Sequence, residues 1–169
     1  MTVLDIRLYP DACLKQVANS VEYFNDELQS SVSNLIETMQ SAPGCVGIAA
    51  PQLGISQRII IIDASQRKGV KHHGMQVLIN PEIISWDSYV IGREGCLSVP
   101  DFTGNVMRAE TVIVEALSAD GQLKKFEFED FEARIVQHEI DHLDGLLFLD
   151  RLVSRRSDLF MRNNYKAKN

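Results

Sequence analysis

Residues 137–142 read Gln-His-Glu-Ile-Asp-His, and this H-E-x-x-H pattern constrains the fold more than any other stretch of the chain. Two imidazoles four positions apart serve one centre when the segment between them is helical, because residues i and i+4 then stack on one face. His138 and His142 are therefore predicted on one face of an α-helix, aimed at a shared metal ion. Glu139 lies three residues before His142, close enough to hold a water beside that ion and take its proton. A helix that presents ligands has to be held rigidly, so it is expected to pack against the rest of the fold.

The flanking residues support a helix here. Asp130 is placed to cap it, Phe131, Ile135 and Leu143 supply apolar packing positions, and Gly145 stands just past its end. A second helix is predicted from Asp26 to Gln40, where Leu28, Val32, Leu35, Ile36 and Met39 recur at helical spacing and Asp26 with Gln29 resembles a capping box. Pro43-Gly44 ends it. Before it, Tyr9-Pro10-Asp11 suits an extended lead-in and a turn.

Between the helices the pattern is that of strands. The β-branched run Arg58–Asp63 reads as a buried strand. Short strands are expected at Gln76–Asn80, Ile83–Trp86 and Ser88–Gly92. Thr111–Leu117 and Gln122–Phe128 flank Asp120-Gly121, a hairpin turn signal. Strands without alternating helices predict an α+β domain, its sheets largely antiparallel and packed around the central H-E-x-x-H helix. The expected organisation is one catalytic domain over 1–152, with residues 153–169 forming a basic C-terminal tail of the same domain.

Composition excludes several function classes. No run reaches the roughly 18 consecutive apolar residues of a membrane span, so no membrane partner is expected. The N-terminus shows no basic start followed by an apolar signal core, which with three scattered cysteines (Cys13, Cys45, Cys96) predicts a reducing, cytoplasmic setting. A net charge of −6 argues against DNA binding. The charge is uneven, however: residues 151–169 hold six Arg and Lys against Asp158, a local +5 that leaves −11 on the first 150 residues. That basic end is either a solvated terminus or a contact for something anionic.

The third ligand decides the chemistry. A catalytic site of this type takes three protein ligands and leaves one position open. In the H-E-x-x-H-x-x-G-x-x-H pattern the third histidine falls six residues after the second, but Phe148 occupies that position here. No Glu occurs after His142. Asp150 and Asp158 remain as downstream candidates, and with either the chain would be a zinc endopeptidase. Upstream, Cys96 sits in Glu94-Gly95-Cys96-Leu97-Ser98, a context of exposed turn backbone, and one thiolate with two imidazoles is a known catalytic donor set. The pattern favours Cys96.

Three segments, Gly47-Ile48-Ala49-Ala50-Pro51-Gln52, Glu94-Gly95-Cys96-Leu97-Ser98 and Gln137-His138-Glu139-Ile140-Asp141-His142, together resemble peptide deformylase, in that family's order and spacing. The first motif departs from it, since Cys45 stands where the family usually has Gly. The resemblance implies removal of the formyl group from N-formylmethionyl peptides. It implies Cys96, His138 and His142 as metal ligands, with Fe²⁺ as the native ion and Zn²⁺, Ni²⁺ or Co²⁺ as substitutes. Glu139 would act as base and then acid, while the Gln52 amide and the Leu97 backbone N–H would stabilise the oxyanion. Val46, Ile135 and the stem of Arg134 are expected to line the methionine slot, and Gly47 to let the substrate backbone approach. Glu94 and Arg108 are expected to form a buried ion pair behind the Cys96 loop. A co-translational substrate would suit docking of the basic tail on ribosomal RNA.

Overall fold

The computed structural model describes residues 2–162. In chain order it contains a 3₁₀ turn (Ala12–Lys15), α1 (Asp26–Ser41), β1 (Gly47–Ala49), a second 3₁₀ turn (Ala50–Leu53), β2 (Ile59–Ile62), β3 (Gln76–Cys96), β4 (Val99–Leu117), β5 (Leu123–Glu129), α2 (Asp130–Leu143), a third 3₁₀ turn (Phe148–Asp150) and β6 (Leu159–Met161). The fold is α+β. Its strands join in one six-stranded antiparallel sheet of order β1-β2-β3-β4-β5, with β6 paired to β4 off that path.

The run Ile59-Ile60-Ile61-Ile62 shows how this sheet organises two cores. All four residues are fully buried because β2 has a helix on each side. Ile59 and Ile61 face the cluster containing Leu28, Val32, Leu35 and Met39 of α1, whereas Ile60 and Ile62 face Val136, Ile140 and Leu143 of α2. Side chains alternate between faces of a strand, so an unbroken apolar run is what a doubly covered strand requires. Each such isoleucine contributes roughly 1.5–3 kcal/mol by its burial. The helix carrying the H-E-x-x-H pattern is thus clamped to the sheet.

Several local expectations are corrected. The α1 cap is Asn25, whose side chain accepts from Leu28 N at 3.1 Å, and the helix runs one residue further than predicted, to Ser41. Asp130 is not a cap: it is the first residue of α2, with φ +50°, and it turns the chain directly from β5 into the helix. Asp tolerates this left-handed conformation better than most residues. At the other end, Gly145 follows α2 with φ +72° as expected. The short strands predicted over 76–92 are one long strand, β3, whose register shifts at Ile79/Glu82 and Ile83/Ser85. Pro81 falls inside the first of those bulges, where its missing N–H breaks no ladder bond. The 111–117 strand begins at Val99, and the Asp120-Gly121 turn is present, with Gly121 at φ +82°.

The first part of the basic tail also returns to the sheet. Leu152 bridges to Val106, and β6 pairs with Phe102–Gly104. Lys166 and Lys168 lie outside the described residues.

Candidate active site

Three elements meet at the functional residues. The antiparallel pair β3–β4 closes through a two-residue turn, Leu97-Ser98, with Cys96 opposite Val99 and a register shift at Gly95/Cys96. That shift places Cys96 against the inner face of α2. The Cys96 Sγ and His142 Nε2 are 3.3 Å apart, and one ligand atom from each of Cys96, His138 and His142 lies within 4.8 Å of the others. The alternative downstream ligands are engaged elsewhere: Asp150 binds Lys15 Nζ at 2.5 Å and Leu147 N at 2.8 Å, and Asp158 accepts from Asn105 Nδ2 at 2.6 Å.

One thiol and two imidazoles, all turned toward one point, fit a divalent transition-metal ion. The second nitrogen of His138 supports the same reading, because its Nδ1 lies 2.9 Å from Glu94 Oε2. A carboxylate on one ring nitrogen fixes the ring and leaves the other free to ligate. His142 has no such carboxylate among the described residues, and burial pushes its pKa well below the usual histidine value, which keeps it neutral. For His138 burial works in the same direction, but hydrogen bonds with Cys96 and Glu94 outweigh it and raise its pKa.

Glu94 is the hub behind the site. It accepts from Arg108 Nε at 2.9 Å and Nη2 at 3.0 Å and from Arg134 Nη1 at 2.9 Å, besides its contact with His138. The expected Glu94–Arg108 pair is therefore present and buried, and it has partners the sequence did not reveal. Arg108 also bonds Asp141, which in turn binds Arg151. Burial alone would push the Glu94 carboxyl up, but its bonds to His138 and Arg108 hold it well below the ordinary carboxylate range.

Glu139 has the opposite environment. Its Oε2 is buried with no partner among the described residues, and burial raises the carboxyl pKa to about 7, with the charge of His138 opposing. A carboxyl poised near neutrality beside a metal-type donor set is suited to accept and return a proton. Gln52 is turned by the backbone three residues before it: Ala49 N donates to Gln52 Oε1 at 2.9 Å, so the amide nitrogen points inward, 3.1 Å from Ser98 Oγ and 3.5 Å from Cys96 Sγ.

These groups border a cavity of about 260 Å³. Nine of the ten predicted site residues line it, including Val46, Gly47, Leu97, Arg134 and Ile135, while His142 lies behind them, 1% exposed. Gly47 is also a point where α2 comes close to this loop. A Cβ there would stand 2.6 Å from Glu139 Oε1 and 2.8 Å from Ile135 Cγ2, so the missing side chain makes room for α2. Arg134 is more than an apolar stem, because its guanidinium bonds Glu94, Val106 O and Val90 O and ties α2 to β3. Cys45 lines the cavity too; burial, foremost, and the nearby Glu139 charge push its thiol up to about 12.

Sequence reasoning missed Ser98, Asp141, Arg93 and Arg162. The first two are buried partners of Gln52 and Arg108, and no periodic signal marks them. Arg93 reaches the cavity rim from β3, and Arg162 is brought there by the β4–β6 pairing.

The family model for polypeptide deformylase matches residues 3–158. A curated peptide deformylase from Thermodesulfovibrio yellowstonii is 42% identical over 168 residues, covering 99% of both chains. Among solved structures, a peptide deformylase from Legionella pneumophila superposes with a TM-score of 0.84 at 39% identity, covering 92% of this chain and 89% of that one. A Met-Ala-Ser-bound peptide deformylase from Acinetobacter baumannii gives 0.83 at 38% identity, covering 89% of this chain and 100% of that one. On this match across nearly its whole length, the chain belongs to the polypeptide deformylase family.

Proposed function

We infer that this chain is a metal-dependent hydrolase that removes the N-formyl group from formyl-methionine at the start of nascent polypeptides. The observation that carries the reading is the convergence of Cys96, His138 and His142 beside a buried Glu139 and an inward-facing Gln52 amide. Cys96, His138 and His142 would hold the ion, with Fe²⁺ proposed as the native metal and Zn²⁺, Ni²⁺ or Co²⁺ as substitutes. Such an ion, when bound, supplies Lewis-acid polarisation and lowers the pKa of water.

The protein residues then account for the proton and charge movements. Glu139 accepts a proton from the attacking water and delivers it to the amine nitrogen as the carbon–nitrogen bond breaks. Formate and a free α-amino group are the products. Oxygen charge that develops at the formyl carbon is met by the Gln52 amide and the Leu97 N–H. A formyl group carries hydrogen where other acyl groups carry carbon, so a narrow site admits it and excludes internal peptide bonds. Val46 and Ile135 form the apolar slot for methionine, with the Arg134 stem at its edge. Val46 and Ile135 also pack into the main core, which makes the slot rigid.

The Met-Ala-Ser held by the Acinetobacter relative corresponds to a deformylated peptide of this kind. The test is formate release from formyl-Met-Ala-Ser by anaerobically prepared protein, with acetyl-Met-Ala-Ser as control. Turnover of the formyl peptide alone is expected; equal turnover of both, or of neither, contradicts the reading.

Three free cysteines fit a reducing cytoplasm, and no described helix is long and apolar enough to cross a membrane. We propose in addition that Arg155 and Arg156 of the basic tail contact ribosomal RNA, since both are exposed whereas Arg151 is committed to Asp141. Ribosome co-sedimentation that weakens with salt and is lost in an Arg155→Ala, Arg156→Ala variant supports this; binding that survives the double substitution refutes it.

A further inference from the structure

The cavity rim carries positive charge that the deformylation chemistry does not use. Arg93 and Arg162 both line the cavity beside Gly95. Unlike Arg108 and Arg134, neither is paired with a carboxylate among the described residues. The chain as a whole carries a net charge of −6, so an unneutralised basic rim is a local inversion of its field.

The two arginines are held in different ways. Arg162 N donates to Asp101 O at 2.7 Å, extending the β4–β6 pairing by one bond. Its side chain crosses the backbone of Gly95, where a Cβ would stand only 2.1 Å from Nη2, so Gly95 is the opening that lets it reach the rim. Arg93 lies 3.5 Å over the ring of Phe160, from β6, and donates to Asn105 Oδ1 at 2.9 Å and Thr103 Oγ1 at 3.2 Å. All of these partners are neutral. The Arg93 guanidinium is thus held by β4 and β6, Arg162 is anchored through its backbone, and neither charge is quenched by a carboxylate among the described residues.

Their distance from the reacting centre indicates what they meet. Arg93 is three strand positions before Cys96, about 10 Å at roughly 3.3 Å per residue. An extended peptide advances by a similar step per residue. With its formyl end at Cys96, it would bring the second or third residue to this rim as it leaves the cavity.

We propose that Arg93 and Arg162 are specificity-determining residues that favour formyl-methionyl peptides with an Asp or Glu side chain at the second or third position. The proposal rests on the deformylase reading and deepens it. The rim contacts are solvent-exposed, so the preference is modest, roughly three- to ten-fold for two arginines, and it falls with ionic strength. It appears in KM more than in kcat, because the contact forms equally in ground and transition states.

The test compares C-terminally amidated formyl-Met-Ala-Ser, formyl-Met-Ala-Glu, formyl-Met-Glu-Ser and formyl-Met-Ala-Lys on the anaerobically prepared full chain, at low and high salt. At least one Glu peptide is expected to exceed the Ser peptide in kcat/KM and the Lys peptide to fall below it. The ratio should move to about one in the Arg93→Gln, Arg162→Gln double variant and be kept in part by Arg162→Lys. Free-acid formyl-Met-Ala-Ser separates a side-chain carboxylate from a terminal one, and a gain confined to the free acid overturns the proposal. So does efficient deformylation with no acidic preference, or a preference that survives the double variant; both leave the deformylase reading standing. Failure to cleave any formyl peptide overturns the two together.

Discussion

Replacing Glu94 with glutamine removes one negative charge from a buried cluster of Glu94, Asp141, Arg108, Arg134 and His138, with the exposed Arg151 at its edge. Glu94 is 6% exposed and holds two arginines and a histidine at 2.9–3.0 Å. Breaking a buried ion pair by removing one partner typically costs about 3–5 kcal/mol, since the other charge is left uncompensated. Here Arg108 keeps Asp141 and Arg134 keeps two backbone carbonyls, so the low end, about 3 kcal/mol, is expected. For a protein of this size that corresponds to a fall in Tm of about 6–12 °C. His138 also loses the carboxylate that fixes its ring, which should weaken metal affinity about 10–100-fold. Thermal melts followed by circular dichroism and an equilibrium metal titration measure the two effects separately. A Glu94→Gln protein that melts within 2 °C of the parent and binds metal equally well would show that the carboxylate neither holds the cluster nor orients the histidine.

Three further perturbations test separate parts of the account. Gly47→Ala drives a methyl into Glu139 and Ile135 and is expected to cost about 1–3 kcal/mol of stability and to slow turnover by displacing the carboxyl; kinetics unchanged from the parent would mean that Glu139 has room to spare. Gln52→Ala should reduce kcat by about 100- to 1,000-fold with metal content retained, and a loss below ten-fold would remove Gln52 from the oxyanion role. The Asp150 carboxyl is held below its ordinary pKa: burial opposes this, but Lys15 and the Leu147 N–H outweigh it. A depressed carboxyl stabilises the fold above its unfolded pKa, near 4, and loses that contribution as pH falls through the folded value. The pair is about one-third exposed or more, so Asp150→Asn should cost under about 1 kcal/mol at pH 7. That cost should shrink as pH falls below about 4 in urea unfolding curves, and a gap that stays constant through the acid range would contradict the linkage.

What the sequence revealed depended on whether local pattern or distant pairing decides the structure. The two helices were legible because Leu28, Val32, Leu35 and Met39, and likewise His138 and His142, repeat at helical spacing, and tertiary packing reinforces that spacing. The Asp120-Gly121 turn was legible for the same local reason. β3 was divided too finely because Asn80-Pro81 reads as a break; in the sheet it is a bulge that the partner strand β4 bridges. The α1 cap was misplaced by one residue, since Asn25 and Asp26 are both good capping residues and only geometry chooses between them. Motif resemblance singled out Gln52 and Leu97, whereas Cys96 was favoured already by its turn context and by the lack of a suitable downstream histidine or glutamate. Asp141 and Arg162 gain their partners from Arg108 and Gly95 across the fold, contacts that no window of sequence contains.

In the proposed function, one sulfur and two ring nitrogens hold a single ion at which formyl amides are cleaved. Cobalt-loaded protein tests it directly. A near-ultraviolet thiolate-to-cobalt charge-transfer band is expected with one equivalent bound, absent in Cys96→Ser, and formyl-Met-Ala-Ser turnover should rise in step with that band. A cobalt protein that turns over without the band, or keeps it after Cys96→Ser, would contradict the account.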